Sequence, residues 1–250
     1  MRHMIGHENY GLVMDRQVVT DNWSHIQIVR HMIDNRLHYS NRGIPVLCPM
    51  FLYENGAGKP NINPEIVNMI SEKIGLSFSE SLTDADDKYD MLDLFDYSYG
   101  VLNSQLYIEK YIDLLKIEFP RVPVPNGNEM FQRIASYGKR LRKLHLLEED
   151  IGNPLGIKYE GDGDNVVSTR KLKQEGLFIN RTQLFTNVSE EIWDFCYGGY
   201  HGLQKWFKDR NGMKLSDSDI QHVIRVLNVF AETIIIREDL DACLDEYGLI

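Results

Sequence analysis

Gly176–Arg210 reads GLFINRTQLFTNVSEEIWDFCYGGYHGLQKWFKDR, and it passes from strand to turn to helix within one short span. Gly176 to Asn180 predicts a strand, because aromatic and β-branched residues lie between a Gly and an Asn. The polar group that follows, Asn180, Arg181, Thr182 and Gln183, carries donors and acceptors suited to base edges or phosphates. An aromatic-rich helix is then expected before a break at Gly198-Gly199. Beyond it, Tyr200 to Arg210 sets Lys205, Lys208 and Arg210 around Trp206 and Phe207. Such a surface can hold phosphates and stack on a base or sugar. The same residues also fit a plain strand, a turn and a packed amphipathic helix.

Upstream, Gly156 to Asn180 reads as a small antiparallel β unit: a strand at Ile157 to Glu160, a turn at Gly161 to Asp164, and a further strand starting at Val166 to Ser168. Asp162-Gly163-Asp164 lacks the remaining ligands of a calcium loop, so it is read as a turn. Arg170, Lys171 and Lys173 form a basic tip of the kind that rigid strands hold out for recognition. Downstream, Ser216 with Asp219 three residues on resembles a capping box. Ile220, Val223, Ile224, Leu227, Ala231, Ile234 and Ile235 then keep helical spacing, which predicts a long core helix.

Asn128 to Leu147 reads as a strongly amphipathic helix. Phe131, Ile134, Tyr137, Leu141 and Leu144 share one face at about 100° per residue, and Arg133, Lys139, Arg140, Arg142 and Lys143 share the other. That basic face can be a solvated surface, a track for a nucleic-acid backbone or a protein dock. Phe119 to Pro125 holds three prolines and must be extended. Tyr89 to Ile117 is helical with a parting near Asn103-Ser104, and Asn63 followed by Pro64 opens a helix that ends about Gly75. Ile44 to Tyr53, with Pro45 and Pro49, fits a buried strand at a sheet edge or bulge. Gly11 to Val19 and Trp23 to Arg30 predict two more strands, the second alternating Ile26 and Ile28 with Gln27 and Val29. On or beside them lie Arg16, Gln17, Trp23, His25 and Arg36, candidate contacts to nucleic acid or ordinary surface residues. These pieces predict an α+β fold in four stretches: β-containing over 1–80, helical over 81–150, a small β unit over 151–195 and a helical end over 196–250.

With 250 residues, 43% of them hydrophobic and 26% charged, the chain can bury a real core. It has no apolar run of about 18 residues and no signal-peptide pattern, which leads to an expectation of a cytoplasmic protein without a membrane partner. Cys48, Cys196 and Cys243 are isolated and odd in number, so they predict buried thiols and neither a disulfide framework nor a metal site. The net charge of −10 opposes nucleic-acid binding by the chain as a whole. The charge is uneven, however: Glu80 to Asp96 and Glu238 to Glu246 are acidic, while Lys139 to Lys143 and Lys205 to Lys214 are basic.

Gly56-Ala57-Gly58-Lys59 fails as a phosphate loop, since Pro60 follows Lys59 and Tyr53 stands where the first Gly belongs. Asp86-Asp87-Lys88 has no Pro-Asp before it to suggest a nuclease, and His3 and His7 have ligand spacing but no Glu between them. The chain also lacks a Gly-x-Ser-x-Gly elbow, a His-Glu-x-x-His pair, a dinucleotide fingerprint, the Asn/Asp-Pro-Pro-Tyr/Phe signature of amino-methyltransferases and helicase motifs. Catalysis by this stretch of polypeptide is not expected.

Several phrases in order carry a resemblance. They include IN-x-TQ-x-F-x-x-V-x-x-E-x-W from Ile179 and GGY-x-x-x-x-KW-x-KDR-x-G from Gly198. Pro60-Asn61-Ile62-Asn63, the Tyr99 to Ser104 and Leu115 to Pro123 runs, and Leu141 to Leu147 belong to the same series. Together, from His3 to about Asp241, the chain resembles the C-terminal specificity domain of Type ISP restriction-modification enzymes. In that family a helicase and an adenine-N6 methyltransferase precede the domain, which helps choose the DNA site. The run Met1-x-His3-Met4 through Glu8-Asn9 to Gly11-Leu12, then Arg16-Gln17, lies inside the recognition region of the family. Met1 is therefore expected to open partway along a longer polypeptide. The resemblance implies double-stranded DNA and the methyltransferase and helicase modules as partners. It implies no cofactor in this piece, with S-adenosylmethionine and ATP held elsewhere in the parent. The residues it favours for DNA contact are Arg16, Gln17, Trp23, His25, Arg36, Arg170, Lys171, Lys173, Asn180, Arg181, Gln183, Lys205, Lys208 and Arg210. A protein-binding scaffold and a small independent hydrolase are the other readings.

Overall fold

In the computed structural model, which describes residues 1–39 and 43–248, Gly11–Met14 (β1) is buried at every position and is the middle strand of an antiparallel sheet. Ile26–Val29 (β2) and Val46–Pro49 (β3) flank it, so that Leu12 faces Ile28 on one side and Cys48 on the other. In β2 the buried Ile26 and Ile28 alternate with half-buried Gln27 and Val29, the period of two expected of a strand with one face in the core. Pro49 closes β3 at the sheet edge, where its missing N–H costs no ladder bond. The run Ile44 to Tyr53 is thus not one buried strand. It parts at Met50, whose N–H donates to the Tyr10 carbonyl at 2.8 Å, and Phe51–Glu54 (β4) turns back on Ala57–Pro60 (β5). Ile44 and Val46 are exposed.

Pro64–Ile74 (α1) has the predicted boundaries: Asn63 Oδ1 accepts the Glu65 N–H at 2.9 Å, and Gly75 closes the last turn in the left-handed region. Ser77–Phe78 (β6) and Lys88–Tyr89 (β7) pair in parallel across the acidic loop. Met91–Asn103 (α2) starts from a reciprocal capping box between Asp90 and Asp93. Gln105–Leu115 (α3) starts at Ser104, whose hydroxyl accepts the Tyr107 N–H and donates to Asp241 at 2.5 Å. That cap is the physical cause of the parting at Asn103-Ser104.

Asn128–His145 (α4) packs along α2 with the two backbones nearly touching. A methyl on Gly138 would overlap the Asp96 carbonyl, and one on Gly100 would lie 2.9 Å from the Ile134 carbonyl. Glycine inside a helix costs about 1 kcal/mol relative to Ala, so the close crossing is what these two residues supply in return. The crossing also corrects the reading of the basic face. Arg142 is only 3% exposed, and its guanidinium grips the buried Asp96 carboxylate through two bonds of 2.6 and 3.0 Å. Arg133 does face outward, but it is held by Glu246 at 2.8 Å and by the Tyr247 hydroxyl.

The second group of elements starts with Tyr159–Glu160 (β8), Lys171–Lys173 (β9), Gly176–Phe178 (β10) and Leu184–Phe185 (β11). They form one antiparallel sheet in the order β8-β11-β10-β9. Val166 makes an isolated bridge to Lys214 and starts no strand. The expected aromatic helix is a single turn, Glu190–Trp193 (α5), and the Gly198-Gly199 break is a hairpin. There both glycines have positive φ between Cys196–Tyr197 (β12) and Tyr200–His201 (β13). Gly202–Asp209 (α6) follows, and then Asp217–Glu246 (α7), opened by the predicted Ser216–Asp219 exchange of hydrogen bonds.

The chain folds into two compact units in place of four successive stretches. Met1–Glu148 belongs with the chain from Ile236 onward, and Glu149–Ile235 stands as the other. Residues 1–80 and 81–150 therefore share a unit but for the last two, and α7 contributes to both. Cys243 is buried while Cys48 and Cys196 are half-buried, all three as free thiols. Among the described residues no helix is long and apolar enough to cross a membrane.

Candidate nucleic-acid interface

In the unit Glu149–Ile235, the inner face of the sheet carries Tyr159, Leu177 and Phe185. Phe185 rests against Phe207 of α6 at 6.2 Å between ring centres. Strand alternation therefore puts Lys171, Phe178 and Leu184 on the other face, with Lys173 beside them. Lys171 and Lys173 are exposed on β9, the edge strand, and the Lys173 Nζ lies 4.3 Å above the Phe178 ring. Arg170 and Arg181 are also exposed, and neither they nor Lys171 make an ion pair among the described residues.

The turn between β10 and β11 behaves differently from the sequence expectation. Gln183 is 3% exposed. Its Oε1 accepts from the Asn165 N–H at 2.9 Å and from Asn180 Nδ2 at 2.8 Å. Its Nε2 donates to Asn165 Oδ1 at 2.6 Å and to the Gly161 carbonyl at 3.5 Å. Asn180 Oδ1 accepts the N–H groups of Thr182 and Gln183, and its Nδ2 also reaches the Val166 carbonyl. An amide side chain has two donor hydrogens and one acceptor oxygen with two lone pairs. Both amides are thus fully engaged in tying this turn to Gly161–Asn165, and neither Gln183 nor Asn180 is available to a base. Arg181, between them, stays outside.

On α6 the buried Leu203 and Phe207 fix which side faces water. Lys208 is exposed there. Lys205 forms an i, i+4 ion pair with Asp209 at 2.6 Å, which raises the Lys205 pKa and lowers that of Asp209. The Arg210 guanidinium stacks 3.7 Å over the Trp206 ring and reaches Asp219 at 3.8 Å. The three cations thus lie on and beside α6 with Lys205 and Arg210 already partnered, but Phe207 has no exposed surface, so of the two expected rings only Trp206 stands beside them.

In the other unit, Arg16 and Gln17 are exposed just past β1, Arg16 within 3.6 Å of Glu118, and Arg36 is exposed beyond β2. Trp23 and His25 are not at the surface. Trp23 is 2% exposed and His25 is fully covered. His25 Nε2 lies 2.9 Å from the Tyr39 carbonyl, and its ring stands edge-on to His38, which contacts the buried Asp15 carboxylate at 3.0 Å. Burial lowers the His25 pKa. Both precede β2, in the irregular segment leading into it, and the core claimed both. Among the described residues no group of three or more His, Cys, Asp or Glu is placed to hold a metal.

Residues 1–238 match the family model of the Type ISP C-terminal specificity domain. The chain belongs to that family. No curated protein sequence matches it. Among solved structures, it is similar to the ATP-dependent Type ISP restriction-modification enzyme LlaBIII bound to DNA, with a TM-score of 0.69 at 19% identity over 94% of this chain. It is also similar to a nuclease-deletion mutant of the Type ISP enzyme LlaGI in complex with a DNA substrate mimic, with a TM-score of 0.63 at 18% identity over 94% of this chain. A third likeness is to a DrdV–DNA complex, with a TM-score of 0.67 at 18% identity over 96% of this chain. The chain spans 16%, 21% and 24% of the lengths of those three proteins, respectively.

Within this specificity domain, sequence reading missed the hairpin tip Gln174-Glu175 beside the basic residues it did single out. The signal was present in Lys171-Leu172-Lys173-Gln174-Glu175-Gly176, where polar and apolar residues alternate into a two-residue turn before Gly.

Proposed function

We propose that this chain selects the DNA sequence at which a longer Type ISP restriction-modification enzyme acts. The observation that carries the reading is the family match over residues 1–238. The exposed, unpaired cations Arg170, Lys171 and Arg181, grouped on and beside one small sheet, give it a chemical basis. They supply phosphate contacts that position a duplex, while neighbouring polar side chains read base edges. Bond-making belongs to other parts of the polypeptide: adenine methylation with S-adenosylmethionine, and translocation with ATP. The target adenine would be flipped into the methyltransferase while this domain holds the flanking duplex.

The acidic body, at −10 overall, makes a specific prediction for the test. Few phosphates are contacted, so the affinity is modest, yet it must still fall with salt in proportion to their number. Titration of the full chain with a duplex pool at rising salt measures that slope. A flat salt response would remove the reading. One feature favours an additional protein-docking role: an apolar groove of about 400 Å³ lined by Tyr111, Leu114, Ile117 and Phe119. Its Leu114 and Ile117 are more than half exposed.

A further inference from the structure

The edge hairpin β9–β10 ends in Gln174 and Glu175, both exposed, between the paired residues Lys173 and Gly176. Neither side chain makes a hydrogen bond or an ion pair among the described residues, in contrast to Gln183, whose amide is fully engaged. The hairpin is firmly seated on the sheet. Leu177 has no exposed surface, and Gly176 at φ +143 packs so tightly that a methyl there would overlap the Phe185 carbonyl. The base of the hairpin is therefore fixed and its polar end is exposed. Arg170, Lys171 and Lys173 stand on the same strand or next to it, so a duplex drawn to these cations meets the tip.

The width of a two-stranded β ribbon fits the major groove of B-DNA. In that groove a Gln amide pairs with adenine N6 and N7, and a carboxylate accepts from the N4 amino group of cytosine. A carboxylate facing a phosphate would be repelled, whereas one facing the N4 amino group of cytosine accepts a hydrogen bond from it. From this juxtaposition we infer that the β9–β10 hairpin is the base-reading element of the domain, with Gln174 reading an adenine and Glu175 an adjacent cytosine. The inference rests on the proposed function and names which residues of that site set its specificity.

The experiment is selection of bound duplexes from a randomised pool by the full chain, run in parallel with Gln174→Ala, Glu175→Ala and Lys171→Ala. The wild-type chain should enrich a motif containing an adenine next to a cytosine. Gln174→Ala should lose preference at the adenine by on the order of tenfold or more, and Glu175→Ala should do the same at the cytosine. Lys171→Ala should weaken binding to all sequences alike and leave the motif intact. An unchanged motif in both tip variants overturns this inference while leaving DNA selection by the domain standing. A wild-type chain that enriches no motif overturns the proposed function, and this inference with it.

Discussion

Strand β10 has a polar turn at each end, and the two have opposite fates. At Asn180–Gln183 two amides close on each other and on Asn165, so that the chain's own groups fill all of their hydrogen-bonding capacity. At Gln174-Glu175 the side chains are exposed and have no hydrogen-bond or ion-pair partner among the described residues. Composition does not separate them, since each presents a Gln beside a charged residue or within one of it. What separates them is whether a second loop lies within reach. Gly161–Asn165 lies over the first turn, and nothing in β9 or β10 covers the second. A polar residue in a turn becomes structural when another backbone comes close enough to bind it, and otherwise remains available to a ligand.

That comparison can be tested by removing groups of each kind. The largest effect is expected at the inward polar pair of the other unit. Arg142→Ala leaves Asp96 buried and unpaired and should cost about 3–5 kcal/mol in chemical denaturation. A loss below about 1 kcal/mol would mean the pair is no more than a surface contact.

A second inward group should make stability depend on pH. His145 accepts from the Tyr99 hydroxyl at 2.6 Å, and its burial, with the Arg237 charge nearby, lowers its pKa to about 3. The unfolded imidazole takes its proton near 6.5, so below that pH the unfolded state binds more protons than the folded one. Stability from this group is complete above about 6.5 and is lost as the pH falls toward 3, at about 1.4 kcal/mol per unit. Comparing wild type with His145→Gln at pH 7 and pH 5 isolates the effect. Wild type should lose about 2 kcal/mol more than the variant, and equal losses would show that the imidazole is already solvated.

Gln183→Ala comes next. It leaves the Asn165 N–H and its partners unsatisfied and should destabilise the protein by about 1–3 kcal/mol, read as a lower melting temperature. The salt slope of DNA binding should not change. A change in that slope with no change in melting would place Gln183 at the DNA after all. Lys171→Ala should have the smallest effect on stability, within about 0.5 kcal/mol. It should nonetheless lower DNA affinity for every sequence and reduce the salt slope by about 1. If stability moves and affinity does not, the outward assignment fails.

Much of the fold could be read along the chain wherever a local cause was sufficient. The Asn63 cap with Pro64, the Ser216–Asp219 box, the alternation in β2 and the helix at Asn128 all depend on neighbours within a few residues. Sequence reading failed where a side chain's fate depended on distant residues. Ile44 to Tyr53 was divided by the Met50 bond to Tyr10, Trp23 was drawn into the core, and His25 was buried against His38 and the Tyr39 carbonyl. Arg142 was claimed by Asp96, 46 residues away. For the site, the cations at Arg170, Lys171 and Arg181 were identified from sequence as exposed candidates. The hairpin tip next to them was not, although its alternation before Gly176 is present in the sequence, and whether that end is free or covered depends on elements distant along the chain.

The sequence alone determined the family, the main helices with their caps, and the uneven distribution of charge over an acidic chain. The family is carried by ordered sequence phrases, and the other two by local spacing and composition, none of which requires knowledge of what packs on what. Tertiary structure decided which polar groups face inward. A buried amide, imidazole or guanidinium must find partners in the fold, and those partners lie on other elements that become neighbours only when the chain has folded.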